Sequence, residues 1–244
     1  MEKLKEFSDP LSFRASFLNQ VASEEFDVKY KSFINVILYF VWLGITSARK
    51  MTIQGNIDPG LGFLCLATYK SFLPIIQNLR LGYTSSTIVL LRAQMEQIAL
   101  LGFLNSKPEL IPKYTNNYDL KEKGLSWMKD KVENWAKIYS YFSSVAHPTI
   151  RSTSVQIYDN SILGNSLNAS MPLMDQNEKS MSDEVIAGIV YSLFAMDNFN
   201  KSVIGRKLFD TQKNKYDLYK FDFLEDLKGL MNFLQQFITK YQLA

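Results

Sequence analysis

Apolar positions recur at helical spacing along most of this chain, and one stretch escapes that period. Residues 24–50, EEFDVKYKSFINVILYFVWLGITSARK, open on acids and close on Ala48, Arg49 and Lys50, which suits the partial charges at the two ends of a helix. From Phe33 to Ala48 no residue is charged. At 1.5 Å per residue that run would cover about 24 Å, short of the roughly 30 Å hydrocarbon core of a bilayer, and it contains Asn35. The pattern therefore favours a central core helix, hydrophobic all round because neighbours enclose it, over a membrane span.

Turn residues Gly55, Asn56, Pro59, Gly60 and Gly62 separate it from a second helix that runs to about Arg80, with Pro74 either kinking it or opening its second half, and Gly82 ends it. A third helix, TSSTIVLLRAQMEQIALLGFLNSKPE, has Thr84, Ser85 or Ser86 as N-cap and stops near Asn105 and Pro108. Residues 109–116 read as a short helix or turn. From Asp119 to Ala146 the spacing predicts one amphipathic surface helix that brings Trp135, Ile138, Tyr139, Phe142 and Ala146 onto one face. Two more helices are expected over roughly 181–209 and 216–243. Residues 149–180 lack a helical period, are rich in Ser and Asn, and are expected to form an irregular loop, a small hairpin or a lid. The fold class is thus all-α: one domain over 1–244, a bundle of about six or seven helices with an insertion at 149–180.

Composition adds exclusions. Among 244 residues there are 11 Gly and 7 Pro, a shortage of chain breakers that agrees with long helices. One cysteine, Cys65, cannot form an internal bridge, and the first thirty residues lack the apolar core of a secretory signal. The expected compartment is the cytoplasm. A net charge of +3 does not by itself announce a polyanion partner. One His and one Cys cannot build a Cys/His zinc site, so neither metal nor cofactor is expected. Gly60 and Gly62 start like a dinucleotide loop, but Cys65 takes the third position. A phosphate loop and a Gly-x-Ser-x-Gly elbow are also missing.

What remains is Arg92 and Glu96, four residues apart on an apolar helix and so on one strip of it. On an exposed face such a pair is an ordinary ion pair worth about 0.3–0.5 kcal/mol. Buried, it demands further polar partners from other helices, and both readings stand. The single histidine, His147, precedes Pro148, so its ring projects where a helix stops, at the negative end of the dipole. It serves either as a C-terminal cap or as a general base or phosphate contact, with Arg151 adding an anion contact. Ser140, Ser143 and Ser144 fall in neighbouring helical directions, away from the Trp135 and Phe142 face. Later, Lys201, Arg206, Lys207, Lys213, Lys215 and Lys220 outnumber Asp210 and Asp217, with Tyr216, Tyr219 and Phe221 interleaved. That composition fits a solvated helix end and loop, or phosphate contacts with base stacking.

Arg92-x-x-x-Glu96 followed by Tyr139, Ser143 or Ser144 and His147-Pro148 resembles the pattern of a group of bacterial helical proteins of unassigned activity, over residues 84–151. More distantly it resembles the HEPN domains of toxin and phage-defence systems, in which an Arg followed four to six residues later by His cuts RNA without metal. Here Arg92 and His147 fall on different helices, and His147 precedes Arg151 across a proline. The resemblance implies a helical fold and offers His147, Arg92 and Glu96 as catalytic candidates, with Tyr139, Ser143, Ser144 and Arg151 as binding candidates. The favoured expectation is a helical binding or interaction protein with an Arg92/Glu96/His147 network, in a stress or phage-defence setting, with RNA, protein or a second copy as partner. The alternatives are a HEPN-like metal-independent ribonuclease and a membrane-attached protein using residues 33–48.

Overall fold

The computed structural model describes residues 10–116, 119–146, 178–210 and 223–240. Proline suits a first helical position because its missing N–H would have no partner there, and the first helix, α1 (Pro10–Ile53), begins on one. It extends well ahead of the expected start at residue 24, since no breaker intervenes. Gly55, at φ 68°, turns the chain. Asp58 then caps α2 (Pro59–Lys70), its Oδ1 accepting from the Gly60 and Leu61 amides at 2.8 and 3.3 Å. Pro74 explains the next break. Its ring excludes the carbonyl four residues back, that of Lys70, so α2 stops there and α3 (Phe72–Arg80) opens with the proline in its first turn.

Gly82, at φ 80°, separates α3 from α4 (Thr84–Ser106). Tyr83 occupies the N-cap without a side-chain bond, in place of the expected Thr or Ser. A 3-10 helix over Pro108–Asn116 leads to α5 (Asp119–Lys129) and α6 (Trp135–Ala146). The single helix expected over 119–146 is therefore two. Asn134 stands between them at φ 60°, a left-handed conformation that asparagine tolerates better than most residues. The last helices are α7 (Glu178–Val203) and α8 (Phe223–Lys240). The all-α class holds: eight α-helices and no strand occur among the described residues. Most of the expected insertion, 149–177, lies outside them, and residues 178–180 already belong to α7.

One core cluster runs from Phe26 of α1 to Phe237 of α8. Its centre is α4, which packs against α2, α3, α5, α6 and α7, together with α7, buried without interruption from Glu184 to Leu193. The expected central helix, α1, sits at the side instead, leaving Val28, Trp42 and Ile53 exposed. Glycines set the closest approaches. A Cβ on Gly124 of α5 would meet the backbone of Ala99 and Leu100, and one on Gly102 of α4 would meet Trp127 and Phe199. Ala99–Gly124 and Gly102–Trp127 advance three residues at a time along both helices, so α4 and α5 run parallel and in register.

The expectation of a cytoplasmic chain with no membrane contact is corrected. Three stretches, Phe26–Ile53, Pro59–Arg80 and Ser86–Ser106, are by length and composition long and apolar enough to cross a membrane. Measuring only the charge-free run 33–48 undercounted α1, whose apolar window belongs to a 28-residue stretch. That length passes the roughly 20 residues a span requires.

Gly124→Leu is expected to force α5 off α4, at a cost of about 1–3 kcal/mol, read as a fall of several degrees in Tm. An unchanged melting curve would refute the close approach.

Candidate functional site

The parallel register of α4 and α5 carries Lys121, one turn before Gly124, alongside Glu96. Helix α6 brings up Tyr139. Glu96 is 7% exposed, and its carboxylate meets three donors. Tyr139 donates its hydroxyl to Oε1 at 2.8 Å, Arg92 Nε lies 3.3 Å from the same oxygen, and Lys121 Nζ pairs with Oε2. Arg92 Nε also donates to the Tyr139 hydroxyl at 3.5 Å. Two cations around one carboxylate leave the cluster at +1. The Arg92 and Lys121 side chains are 29% and 48% exposed, so the positive side of the cluster reaches solvent while the carboxylate does not.

Burial is the main cause that pushes the Tyr139 phenol above its ordinary value; the Glu96 carboxylate adds to it and the Arg92 guanidinium opposes it. Tyr139 is therefore a neutral donor near pH 7. With both oxygens of Glu96 engaged, the cluster presents donors and positive charge to whatever approaches it.

Of the residues singled out from the sequence, Arg92, Glu96 and Tyr139 come together. Ser143 lies one turn past Tyr139 and is half-buried. Ser144 is exposed and donates back to the Tyr141 carbonyl at 2.7 Å. His147 and Arg151 lie outside the described residues, as do Lys213, Lys215 and Lys220 of the late basic stretch. Lys201 and Lys207 are exposed. Among the described residues no three His, Cys, Asp or Glu side chains gather where they could hold a metal ion.

Lys121 was missed because it sits in the charged first half of 119–146, which reads as a solvated face; the signal was Gly124, since a glycine inside a helix marks a close approach. Also missed was a polar belt on α7. Asp197 Oδ1 accepts from Asn200 Nδ2 at 2.9 Å and from the Leu208 amide at 2.6 Å, while Tyr69 of α2 donates to Asn200 Oδ1 at 2.5 Å. Nearer the start of α7, Tyr141 donates to Glu184, and Asp183 holds Tyr30 and Lys29 of α1.

Comparison with family models, with curated proteins and with solved structures finds no match to this chain.

Glu96→Gln is expected to lower Tm by about 3–8 °C, because Lys121 and Arg92 lose a buried counter-charge, a loss moderated by their own exposure to solvent. Tyr139→Phe tests the phenol through pH. A group whose pKa is raised on folding contributes stability that is intact below its unfolded value, about 10 for tyrosine, and is lost as pH climbs toward the folded value. Denaturant unfolding between pH 8 and 11 should show wild type losing stability more steeply than Tyr139→Phe. Parallel curves would count against a buried phenol on Glu96.

Proposed function

We propose that this chain is a helical binding protein whose cluster of Arg92, Glu96, Lys121 and Tyr139 receives an anionic group of its partner. The observation that carries this is the imbalance at Glu96: two cations and a phenol converge on one buried carboxylate, so a surplus positive charge and its donors face solvent. The second cation, on a separate helix and half-exposed, supplies the attraction for an incoming anion and is the group most readily turned toward it.

A second reading rests on its own observation and is compatible with the first. Three apolar stretches of membrane-spanning length support attachment of the chain to a membrane.

Inorganic phosphate is a simple probe for the first reading. Millimolar phosphate at constant ionic strength is expected to raise the Tm of wild type by a few degrees, with the rise lost in Arg92→Ala and Lys121→Ala. An equal rise in both variants, or none in wild type, would overturn it. For the second, the full chain expressed in cells should sediment with membranes, resist an alkaline carbonate wash and need detergent for release. Complete recovery in the detergent-free supernatant would overturn that.

A further inference from the structure

Helices α1 and α3 leave between them a groove of about 610 Å³, within the usual range for small-molecule sites of roughly 300–1,000 Å³. It lies away from the Glu96 cluster and has two unlike ends. At one end Arg80 grips Asp27 through both carboxylate oxygens, at 2.8 and 2.7 Å. That bidentate pair cancels its own charge. Lys31, one turn along α1, also lines this end; it is exposed and forms no ion pair among the described residues, so this end is net positive. Away from it the floor becomes apolar: Ile34 and Leu38 of α1 face Leu73 and Ile76 of α3. Leu73 remains 43% exposed, so apolar surface is left uncovered there. From Asp27 to Leu38 the helix rises about 16 Å. The amides of Asn35 and Gln77 stand among the lining groups.

We propose that this groove binds a single-chain anionic amphiphile, a long-chain carboxylate in the simplest case, with its acyl chain on the Ile34–Leu38–Leu73–Ile76 floor and its head group beside Lys31. Charge complementarity selects the head. The bidentate Arg80–Asp27 pair keeps the Asp27 carboxylate from repelling it, and the Gln77 amide offers a donor. The floor selects the chain: it is an open groove between two neighbouring helices, with the buried Ile34 and Ile76 along its bottom and the exposed Leu73 at its edge. Both walls also belong to stretches apolar enough to meet a bilayer, so the same surfaces that suit lipid tails form the site.

The test is calorimetric titration of the full chain with dodecanoate below its micellar concentration, with dodecanol as the uncharged probe of equal length. Dodecanoate is expected to bind at one site and more tightly than dodecanol. Lys31→Gln should weaken dodecanoate about three- to tenfold, the scale of a partly exposed ion pair, and leave dodecanol unchanged. Asn35→Trp, which fills the groove from its rim, should weaken both. Lys31 and Asn35 are exposed, so both variants are expected to melt like wild type. Absence of dodecanoate binding, equal affinity for the two probes, or binding untouched by both substitutions would overturn the proposal. Adsorption to phosphatidylglycerol vesicles without binding of free dodecanoate would overturn it too, by showing a surface for bilayers rather than a site for one chain.

Discussion

Helix α4 packs against five other helices, so a charge on its inner side needs partners inside the protein. An unpaired buried charge costs several kcal/mol, more than most single contacts return. Glu96 is the severest case, and the rest of its neighbourhood is arranged around it. Arg92 answers from the same helix, yet an i,i+4 partner alone reaches one oxygen. The second oxygen has to be met from elsewhere, and only a helix very close to α4 can bring a lysine there. Gly124 allows that approach, because its missing Cβ is what lets α5 lie against the Ala99 backbone. The ion pair and the glycine contact are therefore one constraint, expressed once in charge and once in volume.

The same logic governs α7. Its run from Glu184 to Leu193 is buried throughout, and farther along Asp197 and Asn200 are buried as well, so none of Glu184, Asp197 and Asn200 can rely on water. Each is answered by a group from another part of the chain: Tyr141 for Glu184, Tyr69 for Asn200, and the Leu208 amide for Asp197. These bonds tie α7 to α6, to α2 and to the segment that follows it. Apolar packing alone would tolerate several rotations of a helix this hydrophobic; polar groups that must be satisfied in one geometry select among them.

The helical class and most element ends could be read from the sequence because breakers act locally: Gly55, Gly82 and Pro108 each stand where a helix stops. The two splits were harder for the same reason. Pro74 acts on the carbonyl of Lys70, so the break falls three residues before it, and the turn at Asn134 depends on a left-handed residue that carries no obligatory signal. At the site, Arg92, Glu96 and Tyr139 were legible because charges and a phenol stood at helical spacing among apolar residues. Lys121 was not, since its partner lies on another helix and periodicity reports only on its own. The polar belt of α7 was overlooked although Asp197 and Asn200, three residues apart in an apolar run, carried the same kind of signal as Arg92 and Glu96.

Apolar helices long enough to cross a membrane can direct their apolar faces either into a protein core or toward lipid, and here the three differ in how much is left over. Two-thirds of the α4 window lies inside the bundle, against half for α1 and 44% for α2–α3. The side chains left outward are Val28, Trp42 and Ile53 on α1, Phe63 on α2 and Leu73 on α3, with Val89 the large apolar exception on α4. A bilayer would therefore meet α1, α2 and α3 first, with α4 behind them. That ordering separates the two polar features of the protein. The Glu96 cluster sits on the far side of α4, toward α5 and α6, where water reaches its cations. The Lys31 groove opens between the helices that lipid would touch, which is why an amphiphile suits the groove and a water-soluble anion suits the cluster.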